Sequence, residues 1–143
     1  MPTFGSATEY CLCYVMPNLI PKLVSNKVTV RKITQQAIVT FLRQKPEALQ
    51  SFFKMLTNFL PNCHEKGELI SELQQILIPE LAKSNWSYLV ETLTTPSNVE
   101  GWEMQTGILM KKLHYFIGND AWLQIMTNLT PEKRELLERI TEN

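Results

Sequence analysis

The stretch "NLIPKLVSNKVTVRKITQQAIVTFL", residues 18–42, decides how the rest of the chain is read. Its first half is apolar and carries Pro21. Its second half places Val30, Ile33, Ala37, Ile38 and Phe41 at spacings of three and four, the period of one helix face. Between them lies the polar corner Ser25-Asn26-Lys27, where Ser25 or Asn26 can cap the second helix. Two helices joined by so short a loop must run antiparallel, so the stretch reads as a helical hairpin.

The same spacing continues in both directions. Leu49, Phe52, Phe53, Leu56 and Leu60 form one stripe, and Leu69, Leu73, Ile76, Leu77 and Leu81 another. Trp86, Leu89, Val90 and Leu93 follow, then Ile108, Leu109, Leu113 and Phe116. "IVTF" and "ILI" have strand propensity, but each lies inside a longer helical run, where packing overrides propensity. Ser97-Asn98-Val99-Glu100 is a capping box, and Thr130-Pro131-Glu132 combines a cap, a first-turn proline and an acid at the positive helix end. Gly118 marks a helix end. These signals predict helices over about 15–25, 28–44, 46–60, 66–83, 86–95, 99–117, 119–129 and 131–142.

Every connection is short, and the hairpins 15–44, 46–83 and 86–117 recur at a period that signals a stacked repeat rather than a closed bundle. The expected fold is all-α, an α-solenoid of antiparallel hairpins with about three and a half repeats. Residues 1–14 read as an N-terminal extension and 15–142 as a single domain.

Composition narrows the function. The 143 residues are 44% hydrophobic, with fourteen basic and fourteen acidic side chains, so the chain can build a core and a generally basic nucleic-acid binder is not indicated. The first residues lack the basic and apolar parts of a signal peptide, and no apolar run reaches membrane-spanning length. A soluble, intracellular protein is expected. Cys11, Cys13, Cys63 and His64 could in principle form a zinc site, but Cys-x-Cys spacing is tighter than structural zinc sites use, so no metal is expected. P-loop, Gly-x-Ser-x-Gly and His-Glu-x-x-His motifs are missing, and His64 and His114 stand apart. We expect no enzyme, no cofactor and no small-molecule substrate. Trp86, Trp102 and Trp122 read as core or repeat-interface residues.

The hairpin of residues 18–42 resembles a HEAT repeat, with Val30-Arg31-Lys32 opening the second helix. "KVTVRK" after "LIPKLVSN" is similar to the repeat style of TOG domains, above all those of the crescerin-type TOG-array family. The order of "ISELQQILIPELAKSNWSYLVETLT" and "WEMQTGILMKKLHYFIGNDAWLQIM" resembles the later helices of such a module. The resemblance implies a tubulin-binding, cytoskeletal protein of the cytoplasm and cilium, whose loops inside successive hairpins touch tubulin. Carried onto this sequence, it implies contacts at Ser25, Asn26, Lys27, Val28 and Thr29, with Lys32 beside them, and corners near 62–66 and 97–101. Arg31 falls where HEAT repeats place an internal structural bond.

Charge agrees with that assignment. From Tyr10 to Pro46 there are six cations, Lys22, Lys27, Arg31, Lys32, Arg43 and Lys45, and no acid. An acidic protein would be steered to such a surface, and salt would weaken the attraction. A second reading is a general adaptor that binds a protein or peptide on the concave helix surface, at residues such as Thr34, Gln35 and Thr40. Nucleic acid ranks below a protein partner, because no aromatic platform lies among the cations.

Overall fold

The computed structural model describes residues 14–95 and 101–142. Among these residues every regular element is helical. They group into two compact units that meet in the chain between His64 and Glu65.

In the first unit, α1 (Met16–Leu19) runs into a 3-10 turn at Ile20–Val24, and α2 (Val28–Gln44) follows after three residues. A 3-10 turn at Pro46–Ala48 leads into α3 (Leu49–Phe59), which another, Leu60–Asn62, closes. Prolines lie at the first positions of all three 3-10 turns, where the missing N–H is not needed. The Ile20–Val24 turn packs along α2 and also touches α3. Together they bury Met16, Ile20, Leu23, Ile38, Leu42, Leu49, Phe52, Phe53 and Leu56. Each such aliphatic or aromatic side chain contributes roughly 1.5–3 kcal/mol by leaving water.

The buried face of α2 differs from the predicted one. Thr34, Ile38 and Leu42 point inward, whereas Ile33 is 60% exposed and Ala37 also faces solvent. Thr34 tolerates burial because its hydroxyl donates to the Val30 carbonyl at 2.7 Å, leaving a methyl to pack. Helical spacing alone could not place the rotation of this helix.

The second unit holds α4 (Lys66–Ile76), α5 (Pro79–Ala82), α6 (Ser87–Leu93), α7 (Trp102–Asn128) and α8 (Pro131–Thr141). The long α7 is the common partner: α4 and α8 pack most extensively on it, and α5 and α6 also touch it. It keeps an exposed side nonetheless, where Met104, Ile108 and Tyr115 are spaced by one and then two turns. Leu109, Met110 and Leu113 are fully buried on it, alongside Leu69, Ile70, Leu73, Leu89, Val90 and Leu137 from the surrounding helices. All three tryptophans are buried, Trp86 with its indole N–H donating to the Leu81 carbonyl at 2.7 Å.

Two boundaries are corrected. The helix expected over 66–83 breaks at Leu77 and Ile78, because Pro79 forces Ile78 into an extended conformation (φ −104°, ψ 160°). The break leaves the Gln74 carbonyl without the Ile78 amide that a continuing helix would bring to it. The Lys112 ammonium, from α7, donates to that carbonyl instead. Helix α7 begins at Trp102 rather than near residue 99, since Gly101 has a left-handed φ of 82° that no continuing helix admits. The predicted capping box Ser97–Glu100 lies outside the described residues. At Gly118 the backbone leaves helical geometry (φ 87°, ψ 172°), as the sequence signal for a helix end there implies, and helical turns resume beyond it.

The start of α8 matches its sequence signal. Thr130 accepts from the Lys133 amide at 3.3 Å, with Pro131 in the first turn. Helix α8 packs back on α7: Arg134 near the start of α8 donates to the Met126 carbonyl, while Ile140 near its end meets Gly107. At that crossing a Cβ on Gly107 would lie 2.3 Å from the Ile140 carbonyl oxygen.

Candidate partner-binding corner

The turn between Val24 and Val28 is built from a few local bonds. Ser25 is extended (φ −60°, ψ 145°), and its amide donates to the Lys22 carbonyl at 3.2 Å. Its hydroxyl accepts from the Lys27 amide, also at 3.2 Å, closing a serine turn. Lys27 occupies the position before α2 with no side-chain cap, so neither Ser25 nor Asn26 caps the helix as expected. The serine is committed to the turn one residue earlier.

Arg31 ties the corner to the helix. Its guanidinium donates to the Ser25 carbonyl at 2.6 Å, across the turn. A charge-assisted bond of this kind is stronger than a neutral one and fixes the turn relative to the first coil of α2. This is the structural use that the HEAT resemblance implies for that position.

The predicted contact residues are presented outward by this arrangement. Asn26, Lys27, Val28, Thr29 and Lys32 are exposed, and Ser25 is half-buried with its carbonyl engaged. Lys27 and Lys32 flank Val28, which is 52% exposed. Lys22 and Arg43 are exposed as well, in a region of sequence without an acid. The site is therefore a positively charged corner with an apolar tip, able to hold carboxylates at its edges.

Residues 62–66 straddle the junction of the two units, and residues 97–100 lie outside the described residues. For the adaptor surface, Thr34 is buried and bonded to Val30, which removes it as a surface contact; Gln35 is half-buried and Thr40 exposed. Sequence reading missed Ile33 as a surface residue, because its spacing from Val30 and Ala37 fits an inward stripe equally well.

The second unit offers less chemistry. A cleft of about 670 Å³ between the 82–87 segment and α7 is floored by Leu113, Phe116, Ile117 and Ile125, with Lys83 as its one charged lining residue. His114 is half-buried, stacked on Trp122 at 4.7 Å and 6°, and its Nε2 bonds Asn119 Oδ1 at 2.7 Å. Among the described residues no three of His, Cys, Asp and Glu come together. Cys11 and Cys13 lie outside them, while Cys63 is buried and His64 exposed. No helix of the described residues is long and apolar enough to cross a membrane.

No model of a known protein family matches the chain, and no solved structure matches it. Over all 143 residues it is 76% identical to a Caenorhabditis elegans protein described as crescerin-like protein che-12. The chain spans 11% of the length of that relative. Identity at this level from the first residue to the last makes the chain a relative of one segment of a crescerin-like protein.

Proposed function

We propose that the chain is a non-catalytic, tubulin-binding module of HEAT/TOG type, one solenoid domain of a longer TOG-array protein that works on microtubules in the cytoplasm and cilium. The observation that carries this reading is the corner itself: Lys27, Val28, Thr29 and Lys32 stand exposed on a turn pinned by Arg31, in a stretch free of acids. Tubulin is strongly acidic, so the corner supplies both long-range attraction and a fixed contact geometry. The relationship to a crescerin-like protein supports the same family of functions.

Binding to soluble tubulin, measured by interferometry at low and moderate salt, tests the proposal, with Lys27→Glu/Lys32→Glu as the paired variant. Salt-sensitive binding that the charge reversal abolishes is expected. A well-folded chain that fails to bind tubulin at low salt, or that binds equally with both lysines reversed, would exclude it. The adaptor reading is weakened by the burial of Thr34, one of its three contact positions.

A further inference from the structure

Helix α2 carries an unexpected residue on its outer face. Ile33 is 60% exposed and Val28 52% exposed, although both are β-branched apolar side chains. Residues three and four apart adjoin on a helix, so Val28 touches the column of Lys32, and Thr29, Ile33 and Gln36 form the column beside it. All five are exposed, and Lys27 sits at the same end. They make one continuous patch, apolar in two places and basic in two, within a stretch that contains no acid.

We infer that this patch, rather than the corner alone, is the contact surface, and that Ile33 is its apolar anchor. The occupant is an ordered acidic protein surface that sets an apolar side chain among its carboxylates. The inference rests on the acidic-partner reading of the corner and adds what the partner must offer. Exposed lysines orient an approaching acidic surface, but a solvated ion pair adds little affinity. Affinity at such surfaces is concentrated in a few apolar anchors that lose all contact with water. A β-branched side chain suits that role, since it has little rotamer freedom left to lose.

Two other occupants fit less well. A disordered acidic tail would satisfy Lys27 and Lys32 without any use for Ile33. A lipid bilayer needs an apolar face along the helix, whereas the outer face of α2 beyond Ile33 exposes Gln36, Ala37, Thr40 and Gln44.

The test uses the intact 143-residue chain and two Glu-rich helical peptides of equal charge, one carrying leucines at i and i+4 and the other serines. Wild-type chain is expected to bind the leucine peptide at least about fivefold more tightly. Ile33→Ser should erase that preference and leave the salt dependence intact; Ile33→Val, which keeps a branched apolar group, should retain most of it. Lys27→Glu/Lys32→Glu should weaken both peptides alike. Equal binding of the two peptides, binding of neither, or a leucine preference that survives Ile33→Ser overturns the inference, as does Ile33-dependent binding to phosphatidylserine vesicles. Soluble tubulin is measured in parallel to separate the two readings. Tubulin that does not bind while the leucine preference stands removes tubulin and keeps the patch. Tubulin binding that Ile33→Ser leaves unchanged removes the patch from that contact and keeps the corner.

Discussion

Gly107→Ala is the sharpest probe of how α7 and α8 pack. A Cβ at this position would sit 2.3 Å from the Ile140 carbonyl oxygen and 3.2 Å from its carbon. Both are backbone atoms, so no rotamer change relieves the contact. Reaching an ordinary separation requires the helices to part by about 1 Å, enough to forfeit a quarter or more of the dispersion energy along the contact. Overpacking costs about 1–3 kcal/mol, and a contact against backbone that no rotamer relieves belongs to the upper part of that range, about 2–3 kcal/mol. Alanine recovers about 1 kcal/mol through helix propensity, because Gly107 lies in a helix interior. The net loss is about 1–2 kcal/mol. With roughly 2.1 cal/mol/K of unfolding entropy per residue and 143 residues, that lowers Tm by about 3–7 °C. Thermal unfolding followed by far-UV circular dichroism measures it, with Lys111→Ala on the exposed side of α7 as a control expected to change little. A Tm equal to wild type or higher would refute the close approach, since propensity would then be the only effect left.

Three further outcomes are expected. Gly118→Ala meets nothing within 4 Å but must hold φ 87° and ψ 172°, a region open almost only to glycine, so it should lower stability by about 1–3 kcal/mol through the backbone alone; urea unfolding measures this, and loss of the His114–Trp122 stack should shift tryptophan emission. Burial holds the Lys112 ammonium below its usual value of 10.5. Because the folded state binds its proton less tightly than the unfolded state, this group's penalty is present at neutral pH and is relieved as pH rises toward 10.5, so wild type should gain stability over Lys112→Arg across that alkaline window in paired unfolding titrations. Arg31→Ala removes the bond to the Ser25 carbonyl, and hydrogen exchange should quicken at the amides of residues 25 to 28 while α4 to α8 are unchanged.

The termini of the helices were the most legible part of the fold where chemistry is local. Thr130-Pro131, Gly118 and the prolines at 46 and 61 act within one turn of themselves, and their effects fall where the residues do. Pro79 is an instructive exception. Its signal was present, but the apolar stripe from Leu69 to Leu81 ran across it, and the break became visible only with the backbone at Ile78. Ser25 shows the same limit on a smaller scale: a residue type that suits a cap is used for the turn before it.

What the sequence by itself determined is the helical class, most helix boundaries, the burial of the three tryptophans and the acid-free basic segment around Lys27. These follow from spacing, capping and charge, which act over a few residues. Only the tertiary structure decided which face of α2 is buried, because Ile33 and Thr34 are adjacent and either rotation buries apolar groups. The choice falls to Thr34, whose hydroxyl is satisfied by Val30 within its own helix, so the packing can take its methyl and leave Ile33 outside. Tertiary structure likewise decided the use of Lys112, whose partner is a carbonyl released 38 residues earlier by a proline. Long-range satisfaction of a broken helix leaves no local trace in sequence, since it depends on which helices pack together.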